Sequence, residues 1–99
     1  MMYAVYKYPL YIRDEQELVL PICSRILSVE VQQQTIVLYA LVELETPGKS
    51  HGTVYIRGTG HECDGRISSA AFIGTVKMLE GALMYHVFYK EGYEEVNNV

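Results

Sequence analysis

The pattern of apolar and polar positions is clearest between Phe72 and Tyr89, where two arms surround a glycine. The stretch reads FIGTVKM, then LEGA, then LMYHVFY. Arms rich in β-branched and aromatic residues, joined at Glu80-Gly81, are typical of a β-hairpin. A two-residue loop at Glu80-Gly81 and a four-residue loop over 79–82 give the same facing pairs further along. The sequence therefore predicts a hairpin over 72–89, against which the rest of the chain packs.

Alternation divides this hairpin into an apolar face and a mixed face. The apolar face is predicted to point at the core and comprises Phe72, Gly74, Val76, Met78, Leu83, Tyr85, Val87 and Tyr89. The mixed face comprises Ile73, Thr75, Lys77, Met84, His86 and Phe88. A shift of one residue would expose the apolar face, so the register is strongly specified. Gly74 has no side chain opposite Val87, which predicts a bulge or a close approach by another backbone.

A second hairpin is predicted from Arg25–Val31 and Thr35–Leu44, joined by three glutamines. Pairing of Val31 with Ile36 puts one apolar set on the same face: Leu27, Val29, Val31, Ile36, Leu38, Ala40 and Val42. The longer arm, TIVLYALVEL, is apolar on both faces, which is typical of a central strand covered on both sides or half-covered by a partner subunit. Because the connection contains no Gly or Asn, we expect a four-residue loop and not a tight turn.

Shorter strands are predicted at Tyr3–Tyr8, Glu17–Pro21 and Thr53–Arg57. Pro9 is expected to end the first of them, since proline lacks a backbone donor. Residues 45–52 and 58–65 are predicted loops. Residues 66–71 form one short helical turn or continue the second loop.

Six or seven strands at a spacing of roughly ten residues indicate the fold class. The prediction is an all-β, single-domain antiparallel β-sandwich or small open barrel with at most one short helical turn. The β domain is predicted over residues 1–89. Residues 90–99, KEGYEEVNNV, are predicted to be a polar, acidic C-terminal tail that frays from the domain.

Charge and length narrow the possible functions of this 99-residue chain. Its net charge is −4, from 8 basic and 12 acidic residues, and the basic residues form no cluster. Nucleic-acid binding through phosphate neutralisation is therefore not expected. No apolar run approaches the roughly 20 residues that span a bilayer, and the N-terminus lacks the features of a signal peptide. We expect a cytosolic protein without a membrane partner.

Gly58-Thr59-Gly60-His61 is the stretch that most suggests a binding site. Glycine-rich backbone can surround an anion, and His61 could donate to it, with His86 as a further contact. The spacing matches neither the dinucleotide-binding fingerprint nor a phosphate-binding loop that ends in Gly-Lys-Ser/Thr. The alternative, which is more common, is that these glycines serve a bulge or wide turn that needs positive φ angles.

His61 and Cys63 could also form a metal pair or a nucleophile–base pair. Either site would need His86 or His51 to complete it, and a nucleophile would need an orienting group such as Asp64. The two cysteines, Cys23 and Cys63, are 40 residues apart, which is no metal-knuckle spacing, and are expected to be reduced. We predict no catalytic residue, no metal and no cofactor; a polar loop beside an unrelated strand histidine is the favoured interpretation.

Tyrosine is abundant, with nine residues in the chain and no tryptophan. Tyrosine combines apolar area with a polar tip, so it is common on half-buried sheets and at interfaces. The candidate interface residues are Tyr3, Tyr6, Tyr39 and Phe88. The alternative is that most of them are ordinary strand residues.

Several motifs occur together in a fixed order. They are Lys7-Tyr8-Pro9-Leu10, the apolar hairpin to Leu44, Gly58-Thr59-Gly60-His61, Phe72-Ile73-Gly74-Thr75-Val76 and His86-Val87-Phe88. Over about residues 5–89 the chain resembles a family of small uncharacterised proteins of unknown function that are encoded mainly in tailed-bacteriophage genomes. The resemblance implies a phage origin but no activity, ligand or catalytic residue.

Three functions remain open. The first is a non-enzymatic protein that binds a host or defence factor or associates with the virion, and that acts in the host cytoplasm as a homo-oligomer, most simply a dimer. The second is a protein that binds or sequesters a nucleotide-like anion through the 58–65 loop. The third, which is favoured least, is a metal- or thiol-dependent enzyme that uses His61, Cys63 and His86.

Overall fold

Seven β-strands form two antiparallel sheets in the computed structural model, which describes residues 1–96. In chain order they are β1 (Tyr3–Leu10), β2 (Glu15–Pro21), β3 (Arg25–Gln32), β4 (Thr35–Glu43), β5 (Lys49–Gly58), β6 (Ala71–Met78) and β7 (Leu83–Glu95). One sheet has the order β1-β4-β3 and the other β2-β5-β7-β6. Within residues 1–96 the helical structure is one 3₁₀ turn, Gly65–Ser69, and no helix could span a membrane. The predicted all-β sandwich is confirmed.

The core lies between the inner faces of the two sheets. Its fully buried members come from the central strands: Ile36, Leu38, Ala40 and Val42 of β4, Val54 of β5 and Val87 of β7. Each large side chain of this kind contributes about 1.5–3 kcal/mol relative to full exposure. The apolar inner row of β4 therefore supplies the centre of the core, as its sequence pattern predicts.

The β6–β7 hairpin has the predicted pairing. Met78 pairs with Leu83 across a four-residue loop, and Gly74 pairs with Val87 beside a bulge. A Cβ atom on Gly74 would lie 2.9 Å from Cγ1 of Val29, which belongs to the other sheet. The missing side chain thus lets the two sheets approach each other closely.

Two bulges reverse the predicted orientation of the residues at and before them. In β6 the bulge turns Ile73 against the core, and Phe72 is 58% exposed, edge-on to Phe88 with ring centroids 5.4 Å apart. In β3 a bulge next to Leu27 leaves that residue 46% exposed while Ile26 packs inward. The predicted core positions of Phe72 and Leu27 are wrong. One extra residue at a bulge puts the side chains at and before it on the opposite face from the one that strict alternation predicts.

The β3–β4 connection is a tight turn and not the predicted four-residue loop. Gln32 pairs with Thr35, which leaves Gln33 and Gln34 as the whole loop. Their φ angles are 50° and 67°. Two central residues with positive φ define the type I′ turn, whose twist suits a hairpin. The tertiary pairing therefore outweighs the poor fit of glutamine to this backbone.

The prediction that Pro9 ends β1 is wrong. Pro9 pairs with Val37, and the strand continues to Leu10. The amide of Leu44 donates to the carbonyl of Met2 over 2.9 Å, so the even-numbered residues of β1 turn their backbone groups to β4. Pro9 is odd-numbered, and its missing N–H lies on the free edge of the sheet, where no ladder bond is lost.

The predicted tail is wrong for residues 90–95, because β7 continues to Glu95. This part of β7 pairs with β5, which begins at Lys49 inside the predicted 45–52 loop. A bulge at Gly92 adjusts the register between Glu91 and Tyr93. Residues 97–99 of the predicted tail lie outside the described residues.

Candidate functional site

His86 is held at both ring nitrogens by threonines. Its Nε2 lies 2.7 Å from Oγ1 of Thr59, and its Nδ1 lies 2.9 Å from Oγ1 of Thr75. In a neutral imidazole one nitrogen donates and the other accepts, so the two threonines fix the ring in place. The structure thus brings Thr59 to His86, two of the predicted ligand-binding residues, through a bond that keeps both side chains occupied.

His61 lies on the other side of the sheet from His86. Its ring covers Gly58, where a Cβ atom would be 2.8 Å from Cε1 of His61. Gly58 pairs with Tyr85 in the inner-face row, whereas His86 is the next residue along and faces outward. The predicted ligand-binding residues therefore divide between two faces and do not converge on one ligand.

Two backbone donors of the 58–65 loop already bond to carbonyls of the protein. The amide of Thr59 donates to the Met84 carbonyl over 3.3 Å, and the amide of His61 donates to the Gly58 carbonyl over 3.2 Å. The pocket beside these residues has a volume of about 180 Å³ and no Lys or Arg in its lining. A small pocket without free cationic groups is a poor anion site.

An ion pair holds the end of this loop to β2. The guanidinium of Arg66 lies 2.9 Å from the Asp64 carboxylate and 3.2 Å from that of Glu15. The pKa of Asp64 is lowered, mainly by hydrogen bonds from the Arg66 side chain and to a smaller extent by the bond from the Arg66 amide. Asp64 also accepts from the Arg66 amide over 3.0 Å, as the N-cap of the 3₁₀ turn. These charged side chains stabilise the conformation of the loop.

The residues proposed for metal or thiol chemistry are not brought together. Cys63 is exposed, with Sγ 3.6 Å from the His61 carbonyl, and both ring nitrogens of His86 are bonded to threonines. His51 lies at the other end of β5, with Nε2 2.6 Å from Glu95 and its ring stacked on Tyr93. Within residues 1–96 no three His, Cys, Asp or Glu side chains are arranged to hold a metal ion.

The four predicted interface residues lie on three different surfaces. Tyr3 and Tyr39 belong to the outer face of the three-stranded sheet, and Tyr6 belongs to its inner face but is 44% exposed. Phe88 is on the outer face of the four-stranded sheet. They do not form one continuous patch.

An apolar surface that sequence reasoning missed lies at one end of the sandwich. Ile12, Val31, Leu79 and Leu83 are between 37% and 65% exposed and line one groove of about 420 Å³. We name these four residues the apolar tip. Leu79 carried a signal, since it is a large apolar residue in a segment that reads as a turn, whereas Val31 and Leu83 read as core residues at strand ends.

Tyr11 extends the same end of the molecule. It is 68% exposed and lines an adjacent groove of about 430 Å³ that shares Ile12 and Gln34 with the first. The two grooves make a longer apolar depression across the β1–β2 loop and the β3–β4 and β6–β7 turns, at one end of the sandwich. Exposed apolar patches rimmed by polar residues mark protein contact sites in many proteins.

Comparison with known proteins identifies a family but assigns no activity to it. No curated protein and no solved structure matches the chain. The family described as "Domain of unknown function (DUF7352)" matches residues 1–98. Since the match covers nearly the whole length, the chain belongs to the DUF7352 family.

Proposed function

We propose that this chain is a phage-encoded accessory protein that binds another protein and performs no catalysis. Its partner is a host or defence factor that it inhibits, or a component of the virion, and it acts in the host cytoplasm as a dimer. The ordered motifs of the sequence support the phage origin. The apolar tip supports the protein-binding role and is the observation on which the proposal depends.

The tip has the properties of an anchor site. Ile12 and Val31 come from the three-stranded side of the sandwich, and Leu79 and Leu83 come from the β6–β7 hairpin, so both sheets contribute to one groove. Lys77 and Glu80 stand on its rim with opposite charges. An apolar centre with a polar rim fits a protein segment that inserts one or two apolar side chains.

The backbone at Leu79 strengthens this interpretation. Leu79 and Glu80 have φ angles of 51° and 54°, a region that disfavours non-glycine residues by roughly 1–2 kcal/mol. A leucine that is 65% exposed gives nothing to the core in return. The positive φ angles form the tight turn in which the Gly81 amide donates to the Met78 carbonyl over 3.2 Å, so they serve the hairpin. What supports a contact site is that this turn presents a large apolar side chain to solvent.

The anion-binding alternative has less geometric support. The Thr59 amide donates to the Met84 carbonyl of β7, the His61 amide donates to the Gly58 carbonyl, and Arg66 is paired with two carboxylates. A thermal-shift panel of nucleotides tests it, because a ligand at 100 times its Kd stabilises a protein by roughly 2.7 kcal/mol. A shift that is lost in Thr59→Ala would favour this alternative over the protein-binding role.

Capture of partners by the tagged protein from infected-host lysate, read by native mass spectrometry, tests the proposal. The Leu79→Gly variant removes the exposed side chain and also relieves the strained backbone. We expect it to be about 0.5–1 kcal/mol more stable than the wild type and to lose the stoichiometric partner. A more stable protein that no longer binds cannot be explained by unfolding.

Leu27→Ser is the matched control. Leu27 is also an exposed leucine, at 46%, but it lies on the β3 bulge away from the tip. We expect this variant to capture the partner as the wild type does. Equal capture by wild type and Leu79→Gly, or no protein captured by the wild type, would contradict the proposed use of the tip.

A further inference from the structure

The outer edge of β1 is open. No described strand pairs with it, since β1 ends the order β1-β4-β3. Two neighbouring side chains of β1 are exposed on opposite faces: Val5 on the outer face is 57% exposed, and Tyr6 on the inner face is 44% exposed. An open edge with apolar side chains on both faces is a template for pairing with another chain.

The backbone groups on this edge follow from the pairing on the other side. The bond from the Leu44 amide to the Met2 carbonyl turns the even-numbered residues toward β4. The N–H and C=O groups of Tyr3, Val5 and Lys7 therefore point away from the sheet. These three residues offer donors and acceptors to a further strand.

The other three edges carry features that discourage pairing. β3 and β6 are interrupted by bulges, at Ile26/Ser28 and Phe72/Gly74. β2 carries acidic side chains, Glu15 and Glu17, and ends at Pro21. β1 has eight residues, a continuous register with β4 and no acidic residue. Its own edge-blunting residues, Lys7 and Pro9, lie in its second half, and Pro9 is outside the stretch 3–7 that could pair with a further strand. Among the described edges, β1 is the one suited to strand addition.

We propose that two copies of this chain pair antiparallel through β1, on a two-fold axis at Val5. In this register Val5 lies opposite the partner's Val5, and Tyr3 lies opposite the partner's Lys7. All of these residues have their backbone groups on the open edge, so the register satisfies them in pairs. The result is one continuous sheet, β3-β4-β1 joined to its symmetry mate.

The side chains suit this register. On the inner face Ala4 lies opposite the partner's Tyr6, a small residue beside a large one. On the outer face the Tyr3 ring lies beside the aliphatic stem of the partner's Lys7. In each copy the Lys7 ammonium points away from this edge, toward β3 of its own sheet, and donates to Gln32 Oε1 over 3.0 Å. Cross-strand pairs of this kind stabilise a sheet by roughly 0.2–1 kcal/mol each.

In this register residues 3–7 of the two strands overlap, so the interface is small and falls below the roughly 1,200 Å² of a standard specific interface. We therefore expect a dimer that dissociates in the micromolar range and not an obligate one. This inference rests on the proposed self-association and is independent of any protein bound at the apolar tip.

Cysteine cross-linking tests the register. In a Cys23→Ser/Cys63→Ser background, Val5→Cys places two thiols opposite each other, with Cα atoms about 5.5 Å apart. We expect mild oxidation to give a disulfide-linked dimer. Lys7→Cys in the same background is the control, because its two copies are displaced by four residues along the strands; we expect it to remain unlinked.

Sedimentation analysis over a concentration series tests the surface without cross-linking. Val5→Lys puts like charges on the two-fold axis and should make the protein monomeric at concentrations where the wild type is a dimer. Leu27→Lys, at an apolar site that is 46% exposed on the other edge of the same sheet, should leave the dimer intact. Circular dichroism establishes that both variants fold.

The outcomes separate the two proposals. A dimer that links through Val5→Cys and dissociates with Val5→Lys supports the β1 pairing. A dimer that survives Val5→Lys and does not link would overturn this surface while leaving self-association in place. A wild-type monomer at high micromolar concentration would overturn both.

Discussion

Glu43 shows at the residue scale how a buried charge serves the fold. It is 3% exposed at the end of β4, where its two carboxylate oxygens accept from the amides of Glu45 and Thr46 over 2.7 and 2.8 Å. Hydrogen bonds from the Thr46 side chain and the Glu45 amide lower its pKa below the ordinary 4.5. The carboxylate thus organises the turn that leads to β5.

A pH dependence follows from this lowered pKa. Because the folded state favours ionised Glu43, its contribution to stability is complete above pH 4.5 and is lost as the pH falls through the lower, folded-state pKa. Glu43→Gln cannot accept both amide bonds, so it should be less stable at pH 7. Chemical denaturation from pH 7 to pH 3 should show the wild type losing this advantage. A constant difference across that range would contradict the assignment.

Arg57 is a second buried charge with a structural task. It is 9% exposed, and its guanidinium donates to the backbone carbonyls of Asp14 and Ile56 while lying 5.6 Å from the Tyr55 ring centroid. These contacts connect the β1–β2 loop to β5. The cation is therefore occupied by the fold and is not presented to a ligand.

At the scale of elements, the β3–β4 turn departs most from its sequence preference. Gln33 and Gln34 both have positive φ angles, where Asn and Gly are preferred. Gln33→Asn combined with Gln34→Gly should stabilise the protein by about 0.5–1 kcal/mol, because the native backbone then carries less strain. The midpoint of urea denaturation measures the change. A lower midpoint would show that glutamine side chains stabilise the turn.

The bulges act on whole strands. The bulge in β6 exchanges the roles of Phe72 and Ile73, and the bulge next to Leu27 does the same in β3. Both strands are edges of their sheets, where bulges are common and discourage pairing with other chains. The same inserted residue therefore protects the strand edge from pairing and sets which side chain faces the core.

At the scale of the whole molecule, the end of β7 is part of the sandwich. Residues 90–95 pair with β5 over Lys49–Thr53 and so hold the N-terminal half of that strand between β2 and β7. A chain that ends at Tyr89 should lose roughly 3 kcal/mol or more of stability, because several ladder bonds are lost at about 0.5–1.5 kcal/mol each. Thermal denaturation of this truncation measures the loss.

Deletion of 97–99 alone is the matched control for the truncation. Both proteins lack the same last residues, so the difference between them reports on residues 90–96. Equal melting temperatures would show that the paired end of β7 adds nothing to stability.

The two proposed contact surfaces occupy different parts of the molecule. The apolar tip lies at the loop and turns of one end of the sandwich, whereas the two-fold axis lies at Val5, within β1. Val5→Lys should therefore abolish the dimer and retain the partner, and Leu79→Gly should do the reverse. This separation makes the two surfaces testable in one set of variants.

The sequence by itself determined the features that depend on local alternation and on turn residues. The hairpin register from Met78–Leu83 to Gly74–Val87, the all-β class and the buried inner row of β4 all follow from period-two patterns. A shift of one residue would expose an entire apolar face, so these patterns have one favourable solution.

Only the tertiary structure decided the features in which a distant partner changes the local preference. β5 pairs residues 90–95 into a strand although they read as a tail, and β4 keeps Pro9 in a ladder because the missing donor lies on the outer edge. Bulges moved Phe72 and Leu27 to the surface. Positions near a bulge, an edge or a long-range pairing are set by contacts between segments far apart in the chain, and those contacts leave no periodic signal in the sequence.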